Sequence, residues 1–458
     1  MRKRILFSLF VLLPSLAFFL PPLAFATKSR LMGMGDLSIV VEDESNMINL
    51  WDFGHNPAGF LDDDKGPTMK GDFAWDTYRI RDLTYRQYSY PYTYKKCNAD
   101  ADRFVNWVSA AFRKKSDFAV GLEGNYRLFD THCEHYDNDS ESPGVLAVFA
   151  KSLNAMTAVG ADIAYLEDKF EYRFTGLESK NNAKDRDFRA QLGARRGLVT
   201  GVTLGAVLGY DLFKPDKKRG FSNVSSLWLS GQTIVEFEDK LKLGVEAVLS
   251  CKRADFHISY LESPEYYETK KEDYYFSSIT FRGIYDISSQ FRLGLLYSDR
   301  ELFGGFYDPF FSLDYFVSPS YVRHWGAGVS CRLSGRLLAG VEYHFRYFSQ
   351  ALTDEYGYYS VGRKNESLNL GVEGRISDSL FLRGGFVRSE TNENPNFDRR
   401  RNVWQNKAAS GLGYQPAGSN LMVECSYTYA PGKLKDSSGP WDEKSDRHIF
   451  SLSFKKMF

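Results

Sequence analysis

Two sets of residues in this chain have the types and spacing for chemistry. One is the run Thr131-His132-Cys133-Glu134-His135-Tyr136-Asp137, where imidazole, thiol and carboxylate lie close together. Such donors suit a transition metal. They equally suit a solvated polar loop whose cysteine pairs elsewhere, and that reading, with no metal and no cofactor, is the expectation. The other set is dispersed: Glu123, Arg127, Glu246, Arg292, Glu342, His344, Arg346, Glu373, Arg375, Arg383 and Glu424. Most of these stand between apolar neighbours, so a strand would gather them on one face. Charges of both signs on one face either pair and stiffen it or line a wet path. Their mixed sign excludes a strongly ion-selective pore. G-x-S-x-G, H-E-x-x-H, C-x-x-C and Gly-rich phosphate loops are all missing, so an enzyme is not expected. His324 and His448 are expected to cap interior hydrogen-bond networks. The formal net charge of +0 gives no footprint for nucleic acid.

The elements that position these charges are strands with period-two alternation. In Phe118 to Phe129, Phe118, Val120, Leu122, Tyr126 and Leu128 oppose Gly121, Glu123, Asn125 and Arg127. In Lys240 to Lys252, Leu241, Leu243, Val245, Ala247 and Leu249 oppose Lys242, Gly244, Glu246 and Ser250. Leu337, Ala339, Val341, Tyr343, Phe345 and Tyr347 oppose Glu342, His344 and Arg346. A slip of one residue would send those charges to the apolar side, so register is strongly specified. Tight turns are expected at Lys114-Lys115-Ser116, Leu153-Asn154, Arg196-Gly197, Glu238-Asp239-Lys240, Ser288-Ser289, Ser334-Gly335, Ser377-Asp378 and Pro416-Ala417-Gly418. Long polar loops separate them, as in Thr131 to Ser142, Glu301 to Ser318 and Asn392 to Asn402. Short turns on one rim and long loops on the other mark a transmembrane antiparallel β-barrel, here of about 16–18 strands, with 14 as roughly the lower bound.

Composition agrees. Aromatic residues make up 16% of the chain, as interfacial girdles require, and a mean hydropathy of −0.38 suits strands apolar on alternate residues only. Arg2-Lys3-Arg4, the apolar run Ile5 to Leu20 and Ala24-Phe25-Ala26 read as a secretory signal over 1–26. Five cysteines suit an oxidising compartment poorly. Cys97 and Cys133 are candidates for a bridge between outer loops, while Cys251, Cys331 and Cys425 read as small apolar strand residues. Residues 65–458 are the barrel.

Residues 27–64 do not read as strand. They are Gly-punctuated, with sequence for one or two short helices, and suit a plug, because a wide barrel would otherwise hold an open aqueous channel. Within them lie Arg30, Met32, Gly33, Met34 and Gly35, then Glu42-Asp43-Glu44-Ser45, then Asn56-Pro57-Ala58-Gly59. In the last, Asn56 favours an Asx-type turn, Pro57 fixes φ and Gly59 permits a positive φ. This series resembles the N-terminal hatch of the FadL-type outer-membrane transporters and the related type IX secretion barrels, with an insert around Leu50-Trp51-Asp52-Phe53-Gly54-His55. The chain's end, alternating through His448, Phe450, Leu452 and Phe454 to Phe458, resembles the signal read by the barrel assembly machinery, with Lys456 departing from it. The resemblance implies an integral protein of the outer-membrane bilayer that passively takes up small hydrophobic molecules. The alternative it carries is an anchor or docking platform for secreted or periplasmic proteins.

Overall fold

The computed structural model describes residues 34, 36–40, 56–61, 67–87, 93–114, 117–133, 136–174, 180–214, 221–238, 240–259, 267–303, 316–317, 320–354, 357–396, 399–436 and 442–457. From Thr68 onward the strands are β1 (Thr68–Gln87), β2 (Thr93–Lys114), β3 (Phe118–Cys133), β4 (Tyr136–Asn154), β5 (Thr157–Phe174), β6 (Lys180–Val199) and β7 (Val202–Lys214). They continue as β8 (Phe221–Phe237), β9 (Leu241–Ser259), β10 (Tyr267–Asp286), β11 (Phe291–Phe303), β12 (Phe316–Val317), β13 (Ser320–Ser334) and β14 (Leu337–Asp354). The last are β15 (Gly357–Arg375), β16 (Leu380–Asn396), β17 (Arg399–Tyr414), β18 (Leu421–Tyr429), β19 (Gly432–Asp436) and β20 (Asp442–Met457). Apart from the short β12 and β19, neighbours in the chain pair antiparallel, and β1 also pairs with β20, from Thr68 opposite Met457 to Arg81 opposite Lys444. The sheet closes on itself and has no free edge.

Two segments continue a strand already counted. β12 and β13 both pair with β14, and β18 and β19 both lie between β17 and β20. The result is an 18-strand barrel, at the upper end of the expected number and not 14.

Alternation decides which face meets lipid. Leu122, Ile163, Leu192 and Leu249 are 57, 54, 63 and 64% exposed, while Asp162, Gln191 and Glu246 on the intervening positions are buried. A soluble protein inverts that arrangement. A continuous exposed apolar band around a closed barrel is the lipid-facing surface of an integral outer-membrane protein. Cys251, Cys331 and Cys425 lie on this outward register, as expected of small apolar residues. The side chains of Cys97 and Cys133 lie outside the described residues, and so does the expected bridge.

Several boundaries differ from expectation. Within Thr131 to Ser142, the described residues 131–133 and 136–142 are strand rather than loop: the β3–β4 ladder runs up to Cys133 opposite Tyr136. Asn392 to Asn402 is likewise strand up to Asn396 opposite Arg399, apart from residues outside the description. Hydrocarbon requires apolar alternation over only about 9–11 residues, whereas β2 has 22. Above that height the ladder continues with polar side chains, which read as loop. Glu301 to Ser318 is described only at Glu301–Phe303 and Phe316–Val317. Two turns also move. Arg196 and Gly197 stay in the ladder opposite Leu204 and Thr203, and the reversal falls at Thr200-Gly201, where Gly201 has φ 79. Leu153-Asn154 gives way to Ala155-Met156, with the Asn154 Oδ1 accepting the Met156 N–H at 2.9 Å.

Candidate functional site

Two stretches preceding β1 lie against the inner wall, on different arcs of it. The first, Asp36 to Val40, is outside any ladder, so its backbone groups need other partners. Glu342 of β14, fully buried, supplies them: its Oε2 accepts the Ser38 N–H at 2.8 Å, and its Oε1 accepts those of Ile39 at 2.6 Å and Val40 at 2.8 Å. Three consecutive N–H groups converging on one carboxylate form an anion nest. The Ser38 carbonyl accepts from Arg282 at 3.0 Å and the Asp36 carbonyl from Asn369 at 3.2 Å. The Asp36 carboxylate accepts from Lys407 at 3.4 Å.

The apolar half of this stretch packs as tightly. Met34, Leu37, Ile39 and Val40 are buried together, with Leu296 and Leu338 of the wall against them. The wall is glycine where the chain comes closest. A Cβ on Gly294 would stand 2.5 Å from Ile39 Cγ2, and one on Gly340 would stand 2.7 Å from Leu37 Cδ1. One on Gly371 would strike the Met34 carbonyl. These glycines sit on β11, β14 and β15, so the cradle belongs to the folded wall.

The second stretch is the 3-10 turn Pro57–Leu61 with Asn56 before it. Asn56 is fully buried; its Oδ1 accepts the Ala58 N–H at 3.0 Å, the expected Asx turn. Its Nδ2 donates to the Ala194 carbonyl and to Gln232 Oε1, both at 3.1 Å. Gln232 donates in turn to Glu246, which also accepts from Ser230 at 2.8 Å. Phe60 is buried among Ala111, Ala119, Val148 and Ala150. Gly160 and Gly193 face Pro57 and Asn56 so closely that a Cβ on either would collide. Gly59 does not use the positive φ that its type permits; it donates its N–H to the Asn56 carbonyl at 3.0 Å inside the turn. Gly33 and Gly35 lie outside the described residues, as does the signal segment.

The expected interior residues divide by what they touch. Glu342 and Glu246 hold the N-terminal stretches, Glu246 through Gln232. His344 contacts Glu342 Oε2 at 3.1 Å through Nε2, and its Nδ1 lies 3.2 Å from Nε2 of His324. Arg383, buried, bridges Glu373 at 2.7 Å and Glu424 at 2.6 Å, joining three strands of the wall. Arg292 pairs with Asp286 across the β10–β11 turn, and Arg375 with Asp378 beyond β15, so both belong to the turn rim. Arg346 faces inward and is exposed. His448 was expected inside but shares the outward register of Phe450, with Nδ1 2.8 Å from the Tyr427 hydroxyl. In the outer hairpin, both ring nitrogens of His132 meet carboxylates, Asp137 and Asp130, each at 3.1 Å. The hydrogen bond to the Asp137 carboxylate raises its pKa above the ordinary imidazole value. Arg282, Asn369, Gln232, Lys407 and the wall glycines escaped sequence reading. Inward-register glycines on neighbouring strands were the available signal.

No family model matches the chain, and no curated protein does. Among solved structures it is similar to a FadL homologue of Pseudomonas aeruginosa, at 11% identity and a TM-score of 0.41, over 96% of this chain and 100% of that one. It is similar to the toluene transporter TodX of Pseudomonas putida, at 11% identity and a TM-score of 0.41, over 94% and 99%. It is also similar to the copper transporter OprC, at 10% identity and a TM-score of 0.51, over 86% and 83%. The likeness to OprC is one of fold, a large closed barrel.

Proposed function

We propose that this chain is a passive outer-membrane transporter for small hydrophobic molecules, with residues 27–64 acting as a hatch in its lumen. The observation that carries the reading is the Glu342 nest. A buried carboxylate on the inner wall binds three consecutive N–H groups of a stretch that belongs to no strand. A buried carboxylate oxygen without a donor is costly, and His344 meets only Oε2, so a wall that presents Glu342 Oε1 there is built to receive that stretch. The fit of Asn56 and Phe60 on a second arc supports the same role. The solute class rests on the M-G-M-G…N-P-A-G resemblance. Proteoliposomes provide the test, comparing entry of a small aromatic hydrocarbon with that of a sugar of similar size. The proposal expects the hydrocarbon to enter faster than into protein-free vesicles, while the sugar is retained. Equal permeation of both, or of neither above background, would overturn it.

A further inference from the structure

The wall formed by β18, β20, β1 and β2 carries a cavity of about 760 Å³ on its outer face. Register fixes its height. Trp75 and Phe450, 51 and 53% exposed, share a rung of the lipid-facing band. One outward rung further from the turn rim stand Thr77, Asp102, His448 and Tyr429. On the next, Arg79 faces Asp100 and Asp446. Counting from Thr68, these rungs lie about where a tilted strand of 9–11 residues leaves the hydrocarbon. The cavity thus begins where the apolar band ends.

Its side chains are held in place by one another. Arg79 Nε bonds Asp100 at 2.7 Å, Arg81 Nη2 bonds Asp446 at 3.0 Å, and Tyr429 donates to the same Asp446 at 3.1 Å. The rings of Tyr429 and Tyr427 flank His448, with centroids 5.1 and 6.1 Å away. The side chain of Asp102 makes no hydrogen bond or ion pair among the described residues, and of the Arg79 guanidinium only Nε is engaged. An open carboxylate accepts pairs of vicinal hydroxyls, aromatic faces cover the C–H side of a pyranose, and guanidinium groups bind phosphate bidentately. These three together recognise a phosphorylated sugar. The apolar rung directly beneath adds a place for acyl chains.

We propose that this outer-face cavity binds the phosphorylated sugar headgroup of a glycolipid of the outer leaflet, its acyl chains running down over Trp75 and Phe450. Arg79 and Arg81 take the phosphate, and Asp102 takes the hydroxyls. The inference does not depend on what crosses the lumen.

The test titrates the full-length barrel in detergent micelles with a bisphosphorylated, acylated glucosamine disaccharide, followed by calorimetry. Phosphatidylglycerol, anionic but without a sugar, and soluble glucose 1-phosphate are the comparisons. The glycolipid is expected to bind at least about tenfold more tightly than either. Arg79→Ala and Asp102→Ala are each expected to weaken it about tenfold, as loss of one charge-assisted hydrogen bond does. Both residues are on the outer surface, and unchanged heat-modifiable mobility on gels shows that each variant retains the folded barrel. Equal binding of phosphatidylglycerol would reduce the site to general attraction for anionic lipid and overturn the proposal. So would equal binding of glucose 1-phosphate, or undiminished glycolipid affinity in both folded variants.

Discussion

Glu342 shows how one side chain ties two parts of the chain that lie some 300 positions apart. Hydrogen bonds to a charged acceptor contribute about 1.5–3 kcal/mol each, and three of them converge here. Glu342→Gln removes the charge and replaces one acceptor oxygen with a donor that faces N–H groups. Amide exchange at Ser38, Ile39 and Val40 is expected to accelerate at least about tenfold, with barrel mobility on gels unchanged. Exchange at the wild-type rate would show that the nest does not hold the stretch. Gly371→Val carries the same argument into packing: its Cβ would strike the Met34 carbonyl, so the variant should expose Leu37 without unfolding the wall. In the sequence, Glu342 was legible as an inward residue because Val341 and Tyr343 flank it. Its partner was not, since Asp36 to Val40 has no periodicity that points to a contact.

At the scale of the strand, the governing fact is that lipid reads one face only. Val341 faces out and Ser298 faces in. Val341→Arg is expected to destabilise the barrel by about 2–4 kcal/mol in bilayer unfolding, with Ser298→Arg costing much less. Equal costs would mean that the faces are assigned wrongly. Orientation follows from the turns: a tag at Gly335 or Gly418 should be protected on intact cells, and one beside Asp137 should be reached by antibody. Reversed labelling would invert the barrel. Alternation made the lipid-spanning parts of these strands legible down to the register. Their polar extensions were not, because the β3–β4 ladder beyond the membrane is held by backbone bonds that carry no side-chain signature. Gly197 misled for a related reason: only the φ of Gly201 distinguishes a turn glycine from a ladder glycine nearby.

For the whole molecule, the proposed hatch would place residues 27–64 inside a wide closed barrel. The barrel closes through inter-strand bonds, including the β1–β20 ladder, so it should survive without that segment. The two cradles, at Glu342 and at Gln232 with Glu246, would then face water. The decisive measurement is single-channel conductance in planar bilayers of the barrel lacking residues 27–64, compared with the intact chain. With a hatch in the lumen, the deletion should leave a folded barrel whose conductance rises severalfold or more, because a lumen of this width fills with electrolyte once emptied. A folded deletion variant with unchanged conductance would contradict the proposed hatch, since the segment would then not be what closes the lumen.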